Sequence, residues 1–241
     1  MNVKVSAQAM TGGIGGDAGR AAPGPVDAAV GGQVLRSIAA RREATDPYRH
    51  WFLSDVLPDE ICAALGDLPF AAPRIGDTKG KRETHNGVRT FFSVANRTEF
   101  AVCNEVAAAF QSEPVARALE DAFAIALKGS FLRIEYCQDT GGFWLEPHRD
   151  VDVKLITMQV YLSSGPDAES LGTDIYRDEN TWFGAVQARF NSALVFVPGE
   201  NTWHGFRRRQ FAGIRRSIII NYVTPSWRAR HELAYPTEPV S

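Results

Sequence analysis

The sequence predicts a mainly β protein with flanking helices, in which a double-stranded β-helix (jelly roll) core carries an N-terminal helical layer. Two observations predict this fold. After Gly129 the chain changes from helical periodicity to short β-type runs, at residues 131–137, 154–162, 173–176, 193–197 and 217–223. Turn-forming stretches rich in Gly, Pro and Asp separate several of these runs. Many short strands punctuated in this way are typical of a double-sheet jelly roll.

Length and composition favour one catalytic domain behind a loose N-terminal segment. The chain has 241 residues, a length that a single β-rich domain often reaches. Residues 1–45 form a Gly/Ala-rich leader that is predicted to be disordered, because it has too few large apolar residues to offset its ordering entropy. Residues 46–128 are predicted to be a helical support and lid region, and residues 129–241 the catalytic core. The span 46–241 is expected to be one structural domain.

Three helices are predicted before the β-rich half. The first begins at Pro58, where Asp59 and Glu60 suit the first turn of a helix. The other two are expected at residues 98–110 and 112–127 from their apolar spacing. Residues 71–90 lie between the first and second predicted helices and form a polar stretch rich in Gly, Lys and Arg. A loop of this length in a compact enzyme is expected to be a lid or a mobile segment.

Composition excludes several classes of function. A formal net charge of -2 gives no electrostatic footprint for nucleic acid or an anionic membrane surface. No apolar run is long enough to span a bilayer, and the N-terminus lacks the apolar segment of a secretory signal, so a cytoplasmic protein is expected. The cysteines, Cys62, Cys103 and Cys137, lack metal or disulfide spacing and are expected to be reduced and buried.

The candidate metal ligands are His148, Asp150 and His204. His148 and Asp150 project to the same side if the local chain is extended, since strand side chains repeat every two residues. His204 follows 56 residues after His148, and Arg215 and Ser217 come shortly after it. A single histidine is most often a packed polar residue, but two imidazoles and a carboxylate in this order are what one face of an octahedral Fe(II) needs.

The run 155–162 alternates an apolar face with a mainly polar one. The polar face carries Leu155, Thr157, Gln159 and Tyr161. Such a face beside a metal motif is expected to line a wet pocket. The alternative is that this face meets solvent, as in many antiparallel sheets.

Residues 131–223 resemble the Fe(II)- and 2-oxoglutarate-dependent oxygenases and are close in pattern to the prolyl-hydroxylase-like branch. HxD alone is a weak signal, whereas the full ordered set is specific. The first 128 residues match this pattern only loosely. The shared elements are residues 132–136 (LRIEY), His148-x-Asp150, residues 160–163 (VYLS), residues 194–196 (LVF), residues 203–205 (WHG) and residues 213–218 (GIRRSI).

The resemblance implies Fe(II) as the metal, with 2-oxoglutarate and O2 as co-substrates. The implied iron ligands are His148, Asp150 and His204. The implied contacts to 2-oxoglutarate are Arg215, Ser217, Tyr161, Tyr136, Thr157 and Gln159. Arg215 would pair with the distal carboxylate, a task that suits a planar guanidinium. Asp150 implies hydroxylation or another oxidation rather than halogenation, because halogenating relatives carry a small residue in its place.

The substrate side is less specific. The candidate substrate contacts are His85, Arg89, Trp144, Trp203 and Arg207. Clustered positive charge would favour an anionic substrate, but a solvated loop without such a role is at least as compatible with the sequence. We expect hydroxylation or oxidative cyclisation of a small metabolite, such as an amino acid or natural-product intermediate. The alternatives are a peptidyl (prolyl-type) hydroxylase, and a cupin-like metal-binding protein that does not use 2-oxoglutarate.

Overall fold

A computed structural model of the protein describes residues 25–81, 89–165 and 167–241, with side chains from residue 29 onward. The helices are α1 (Pro25–Ala39), α2 (Asp59–Gly66), α3 (Val94–Glu99), α4 (Ala101–Gln111) and α5 (Glu113–Phe123). The strands are β1 (Arg42–Ala44), β2 (His50–Leu53), β3 (Thr90–Phe91), β4 (Phe131–Asp139), β5 (Leu145–His148), β6 (Lys154–Tyr161), β7 (Asp174–Tyr176), β8 (Trp182–Ala185), β9 (Ser192–Phe196), β10 (His204–Phe206) and β11 (Arg215–Val223).

The strands form two antiparallel sheets, which confirms the predicted jelly-roll core with its helical layer. The larger sheet has the order β1-β2-β9-β6-β11-β4-β3, and the smaller sheet has the order β5-β10-β7-β8. Apolar side chains from both sheets, including Tyr161, Phe196 and Ile175, pack together between them. The opposite face of the larger sheet packs on the helices and forms the main hydrophobic core.

Helix α1 lies inside the segment for which the sequence predicts disorder. Val30, Val34 and Ile38 are four residues apart, form one stripe of the helix and are buried in the main core. The helix packs on α4 and α5. The prediction of a disordered leader is therefore wrong for residues 25–45, because burial against distant helices supplies stability that local composition does not show. Residues 1–24 lie outside the described residues.

The two predicted helices of residues 98–110 and 112–127 differ in their bounds from the observed ones. Phe100 has φ −116° and ψ 110°, so the chain leaves the helical conformation there and separates α3 from α4. Helix α5 ends at Phe123, because Ala124 takes the left-handed conformation with φ 55°. The predicted helix at Pro58 is confirmed, with Pro58 as its N-terminal flanking residue.

Residues 71–81 of the predicted lid are held against the end of β4 and the start of β5, and Thr90 at its other end lies in β3. Thr140 donates to the carbonyl of Pro73 at 3.2 Å, and the Trp144 indole N–H donates to Asp77 at 2.6 Å. The Thr78 hydroxyl donates to the carbonyl of Trp144. Residues 82–88 lie outside the described residues, and closure of a lid stays a prediction.

The three cysteines are buried and no disulfide joins them, as expected. Burial raises the pKa of both Cys62 and Cys103 to about 12. Among the described residues, no helix combines the length and apolar character that crossing a bilayer requires.

Candidate metal centre and cavity

Three central strands of the larger sheet, β4, β6 and β11, present two chemically different faces. Even-numbered residues such as Ile134, Met158 and Ile220 pack on the helices. Odd-numbered residues of the same strands turn toward the smaller sheet, since side chains alternate along a strand. There Thr157 and Gln159 line a cavity of about 290 Å³. The prediction of a wet pocket beside the polar face of residues 155–162 is confirmed for these two residues.

The two sheets bring His148, Asp150 and His204 together. His148 ends β5 and His204 begins β10, and the two residues face each other in the antiparallel register of these strands. Their ring centroids are 4.4 Å apart. Asp150 follows two residues after His148, and one ligand atom from each of the three residues lies within 4.8 Å of the others.

Backbone carbonyls orient both imidazoles. Nδ1 of His148 lies 2.8 Å from the carbonyl of Glu146, and Nδ1 of His204 lies 3.0 Å from the carbonyl of Thr202. A carbonyl oxygen only accepts, so Nδ1 is the donor in each ring and Nε2 is the atom that could bind a metal. Burial, followed by the neighbouring His148, lowers the pKa of His204 to about 4. His204 is therefore neutral near pH 7, as a metal ligand must be.

Asp150 is ionised and held by two donors. The Lys154 ammonium lies 2.5 Å from Oδ1, and the Thr157 hydroxyl donates to Oδ2 at 2.6 Å. Burial alone would raise the pKa of Asp150, but the charges of Lys154 and His204 and these hydrogen bonds outweigh it and hold the pKa well below its usual range. Two imidazoles and one carboxylate, beside an open cavity, fit Fe(II) bound on one face with positions left for other ligands.

Arg215 lies at the same cavity, buried near Phe206. Its Nη1 donates to Asp139 at 2.5 Å and its Nε donates to the carbonyl of Leu171 at 2.5 Å. The Phe206 ring lies 4.5 Å from the guanidinium carbon. The third nitrogen, Nη2, has no hydrogen-bond partner within the described part of the chain. Arg215 thus presents a fixed cation, already shared with Asp139, to one end of the cavity.

Five of the six residues expected to contact the co-substrate lie at or directly behind the cavity wall. Arg215, Gln159 and Thr157 line the cavity. Ser217 and Tyr161 lie directly behind its wall: Gln159 donates to the Ser217 hydroxyl at 3.1 Å, and Tyr161 donates to Thr173 at 2.9 Å. Ser217 and Tyr161 therefore support the residues that line the wall.

Tyr136 does not face the cavity, and its expected contact with the co-substrate is wrong. Its hydroxyl donates to the carbonyl of Leu65 at 2.7 Å, and its ring packs on Phe70 with centroids 5.6 Å apart. Register explains the difference. Tyr136 lies opposite Ile218, and both side chains point toward the helices and belong to the main core. Ser217 lies opposite Tyr161 on the other face of the sheet.

The expected substrate contacts are mostly placed elsewhere. Arg89 lines the cavity, where it donates two hydrogen bonds to Glu135 at 2.9 and 2.6 Å. Trp144, Trp203 and Arg207 do not line it. Each takes part in a cation–π pair, with Arg208, Arg149 and Trp182 respectively, and of these partners Arg149 lines the cavity. Packing against these partners uses their rings and charge, and a contact with substrate stays a prediction for these three. His85 lies outside the described residues.

Several cavity residues were not among the sequence-predicted site residues. They include Arg133, Glu135, Lys154, Thr173, Ile219 and Trp227. Alternation could have found the first two, because residues 131–137 alternate apolar and polar positions around Arg133 and Glu135. Lys154 is four residues after Asp150, a spacing that by itself indicates no contact in a β-rich segment. Asn221, which reaches the site through hydrogen bonds, gave no sequence signal.

Comparison with known proteins gives a match in fold. No family model matches the chain, and no curated protein matches it. A solved prolyl 4-hydroxylase from Phytophthora capsici is similar with a TM-score of 0.56 and 11% identity, over 82% of this chain and 65% of that one. The chain thus spans just under two thirds of that protein's length.

Two further solved structures are similar. A Pseudomonas putida prolyl-4-hydroxylase gives a TM-score of 0.51 with 14% identity, over 81% of this chain and 94% of that one. A prolyl hydroxylase from Trichoplax adhaerens gives a TM-score of 0.50 with 12% identity, over 82% of this chain and 90% of that one. The chain has the fold of the prolyl hydroxylases, which confirms in its architecture the resemblance found in the sequence.

Proposed function

We propose that this protein is a non-haem Fe(II)- and 2-oxoglutarate-dependent oxygenase that hydroxylates, or oxidatively cyclises, a small metabolite. The observation that carries the proposal is one cavity lined by His148, Asp150, His204 and Arg215. Iron bound by the first three would supply activation of O2 coupled to decarboxylation of 2-oxoglutarate to succinate and CO2. Arg215 would hold the distal carboxylate of 2-oxoglutarate through the guanidinium face that Asp139 leaves open.

The charge of the lining residues and the volume of the cavity support small, anionic ligands. Among the described residues that line the cavity, five are cationic and two are acidic. A cavity of about 290 Å³ lies near the lower limit of ligand pockets, and it would have to hold 2-oxoglutarate as well. A small substrate, or a single side chain of a larger one, suits the room that remains.

The test is anaerobic titration of the Fe(II)-loaded protein with 2-oxoglutarate, monitored by the visible charge-transfer band of a chelated 2-oxo acid. We expect the band in the wild type. Breaking a buried ion pair from one side destabilises a protein, so the informative variant changes both members, Asp139→Asn with Arg215→Met. This double variant should bind iron and require much more 2-oxoglutarate for the band. Asp139→Asn alone and Arg117→Met, at an exposed position on α5, are the matched controls.

The outcomes separate the alternatives. A wild-type protein that binds iron but gives no band would favour the cupin-like protein that does not use 2-oxoglutarate. A band that forms equally well in the double variant would show that another residue holds the distal carboxylate.

A peptidyl hydroxylase is the second candidate function. It is favoured by the similarity in fold to a prolyl hydroxylase that is solved in complex with a peptide fragment of a hypoxia-inducible factor. Substrate-stimulated succinate formation distinguishes the two candidates. We expect stimulation by free amino acids or other small anionic metabolites, whereas stimulation only by peptides would favour the second candidate.

A further inference from the structure

Arg133, Asn221 and Thr157 lie in one row across three neighbouring strands of the larger sheet. In the antiparallel registers, Asn221 of β11 lies opposite Arg133 of β4 on one side and opposite Thr157 of β6 on the other. All three side chains are buried, with exposed fractions of 1%, 0% and 6% respectively. The row ends at Asp150, to which Thr157 is hydrogen bonded.

The hydrogen bonds in this row run in one direction. Arg133 Nη1 donates to Asn221 Oδ1 at 3.1 Å, Asn221 Nδ2 donates to Thr157 Oγ1 at 2.9 Å, and Thr157 Oγ1 donates to Asp150 Oδ2 at 2.6 Å. A guanidinium can only donate, so Arg133 forces the Asn221 oxygen toward itself and the amide group toward Thr157. Because Thr157 then accepts from Asn221, its single proton is directed to Asp150.

Arg133 is a rigid origin for the row. Its Nε donates to Glu232 at 2.6 Å and its Nη2 donates to Glu135 at 3.2 Å. Its guanidinium carbon also lies 4.7 Å from the Phe91 ring and 5.1 Å from the Trp227 ring. A cation held by two carboxylates and two rings keeps one orientation, and the hydrogen bonds pass this orientation to Asp150.

We infer that Arg133, Asn221 and Thr157 are positioning residues for the metal ligand Asp150; this inference rests on the proposed function. The row commits Oδ2 to Thr157 and leaves Oδ1 for the metal. The Lys154 ammonium on Oδ1 is then the group that a divalent cation displaces, because both cations are attracted to the same oxygen. Thr157 therefore acts through Asp150, and the contact with 2-oxoglutarate expected from the sequence is not its role.

The test measures metal binding without 2-oxoglutarate, substrate or turnover. Mn(II) is titrated into the metal-free protein, and free Mn(II) is quantified by electron paramagnetic resonance. Hydrogen-bonding partners of metal ligands typically contribute about 10- to 100-fold in metal affinity. We expect a loss of that order for Thr157→Val, which keeps the side-chain shape and removes the hydroxyl. Thr157→Ser should restore affinity to within about threefold, since it restores the donor.

Asn221→Asp tests the direction of the row. Aspartate has nearly the same shape and an ion pair with Arg133 would keep it in place, but it can no longer donate to Thr157. The Thr157 proton would turn to the new carboxylate, and Mn(II) affinity should fall by about 10-fold or more. Thr98→Val, which removes a hydroxyl that donates to the carbonyl of Val94 at 2.8 Å on exposed α3, is the control and should bind Mn(II) like the wild type.

Thermal unfolding of the metal-free variants separates positioning from stability. A positioning role predicts that Thr157→Val and Thr157→Ser differ in Mn(II) affinity at a temperature at which both variants are fully folded. If Thr157→Val and Asn221→Asp bind Mn(II) as tightly as the wild type does, the row has no positioning role and the proposed function stands. If the wild type itself binds no Mn(II), the proposed function and this inference both fail.

Discussion

The two faces of the larger sheet are both largely buried, but one forms the hydrophobic core and the other lines the cavity. Toward the helices, Ile156, Met158 and Ile220 form part of an apolar core whose stability comes from area removed from water. Toward the smaller sheet, Arg133, Thr157 and Asn221 are also buried, but each is hydrogen bonded to a specific side chain. Burial alone therefore does not separate scaffold from site. The polar face orients the side chains of the site, whereas the apolar face contributes most to the free energy of unfolding.

The largest expected effect comes from removing the carboxylate at the centre of the polar face. Asp150→Ala should abolish oxidation and weaken metal binding beyond any other single change, because a charged ligand is lost. Turnover is followed as succinate formed from 2-oxoglutarate, and metal content is measured after dialysis. Full substrate turnover by this variant would mean that Asp150 is not a ligand.

The apolar face should respond in stability alone. Ile220→Ala deletes a side chain that is 1% exposed, and the lost transfer energy plus the cavity left behind should cost about 2–5 kcal/mol of unfolding free energy. Chemical denaturation measures this cost. The Mn(II) affinity of the folded variant should match that of the wild type. If Ile220→Ala lost as much Mn(II) affinity as Thr157→Val, the two faces would not differ in their role.

Support behind the cavity wall should have an intermediate effect. Ser217→Ala removes the hydroxyl that accepts from Gln159, and a buried hydrogen bond contributes about 1 kcal/mol. We expect affinity for 2-oxoglutarate to fall by less than about 10-fold, since Ser217 acts through Gln159. A complete loss in the anaerobic titration would instead place the Ser217 hydroxyl on the co-substrate.

The smallest expected effect has the opposite sign. Lys154→Met removes a cation that competes for Asp150 Oδ1, and its side chain is 17% exposed. A partly exposed ion pair is worth about 1 kcal/mol or less, so Mn(II) affinity should rise by up to roughly fivefold. Weaker Mn(II) binding in this variant would show that Lys154 holds Asp150 in place for the metal and does not compete with it.

The sequence by itself determined features that depend on residues close together in the chain or on the order of motifs. Two-residue spacing predicted the His148 and Asp150 pair, alternation predicted the polar face of residues 155–162, and the order of His204 and Arg215 completed the predicted pattern for metal and co-substrate. Each of these signals is carried by neighbours in the chain or by a known order of motifs.

Only the tertiary structure decided which distant residues share a face. Asn221 is 88 residues from Arg133 and 64 from Thr157, and the strand registers alone bring them into one row. The same registers turn Tyr136 away from the cavity, and distant helices bury α1 despite its composition. Register and helix packing depend on the energy of the whole fold, because a shift of one residue exchanges the two faces of a strand.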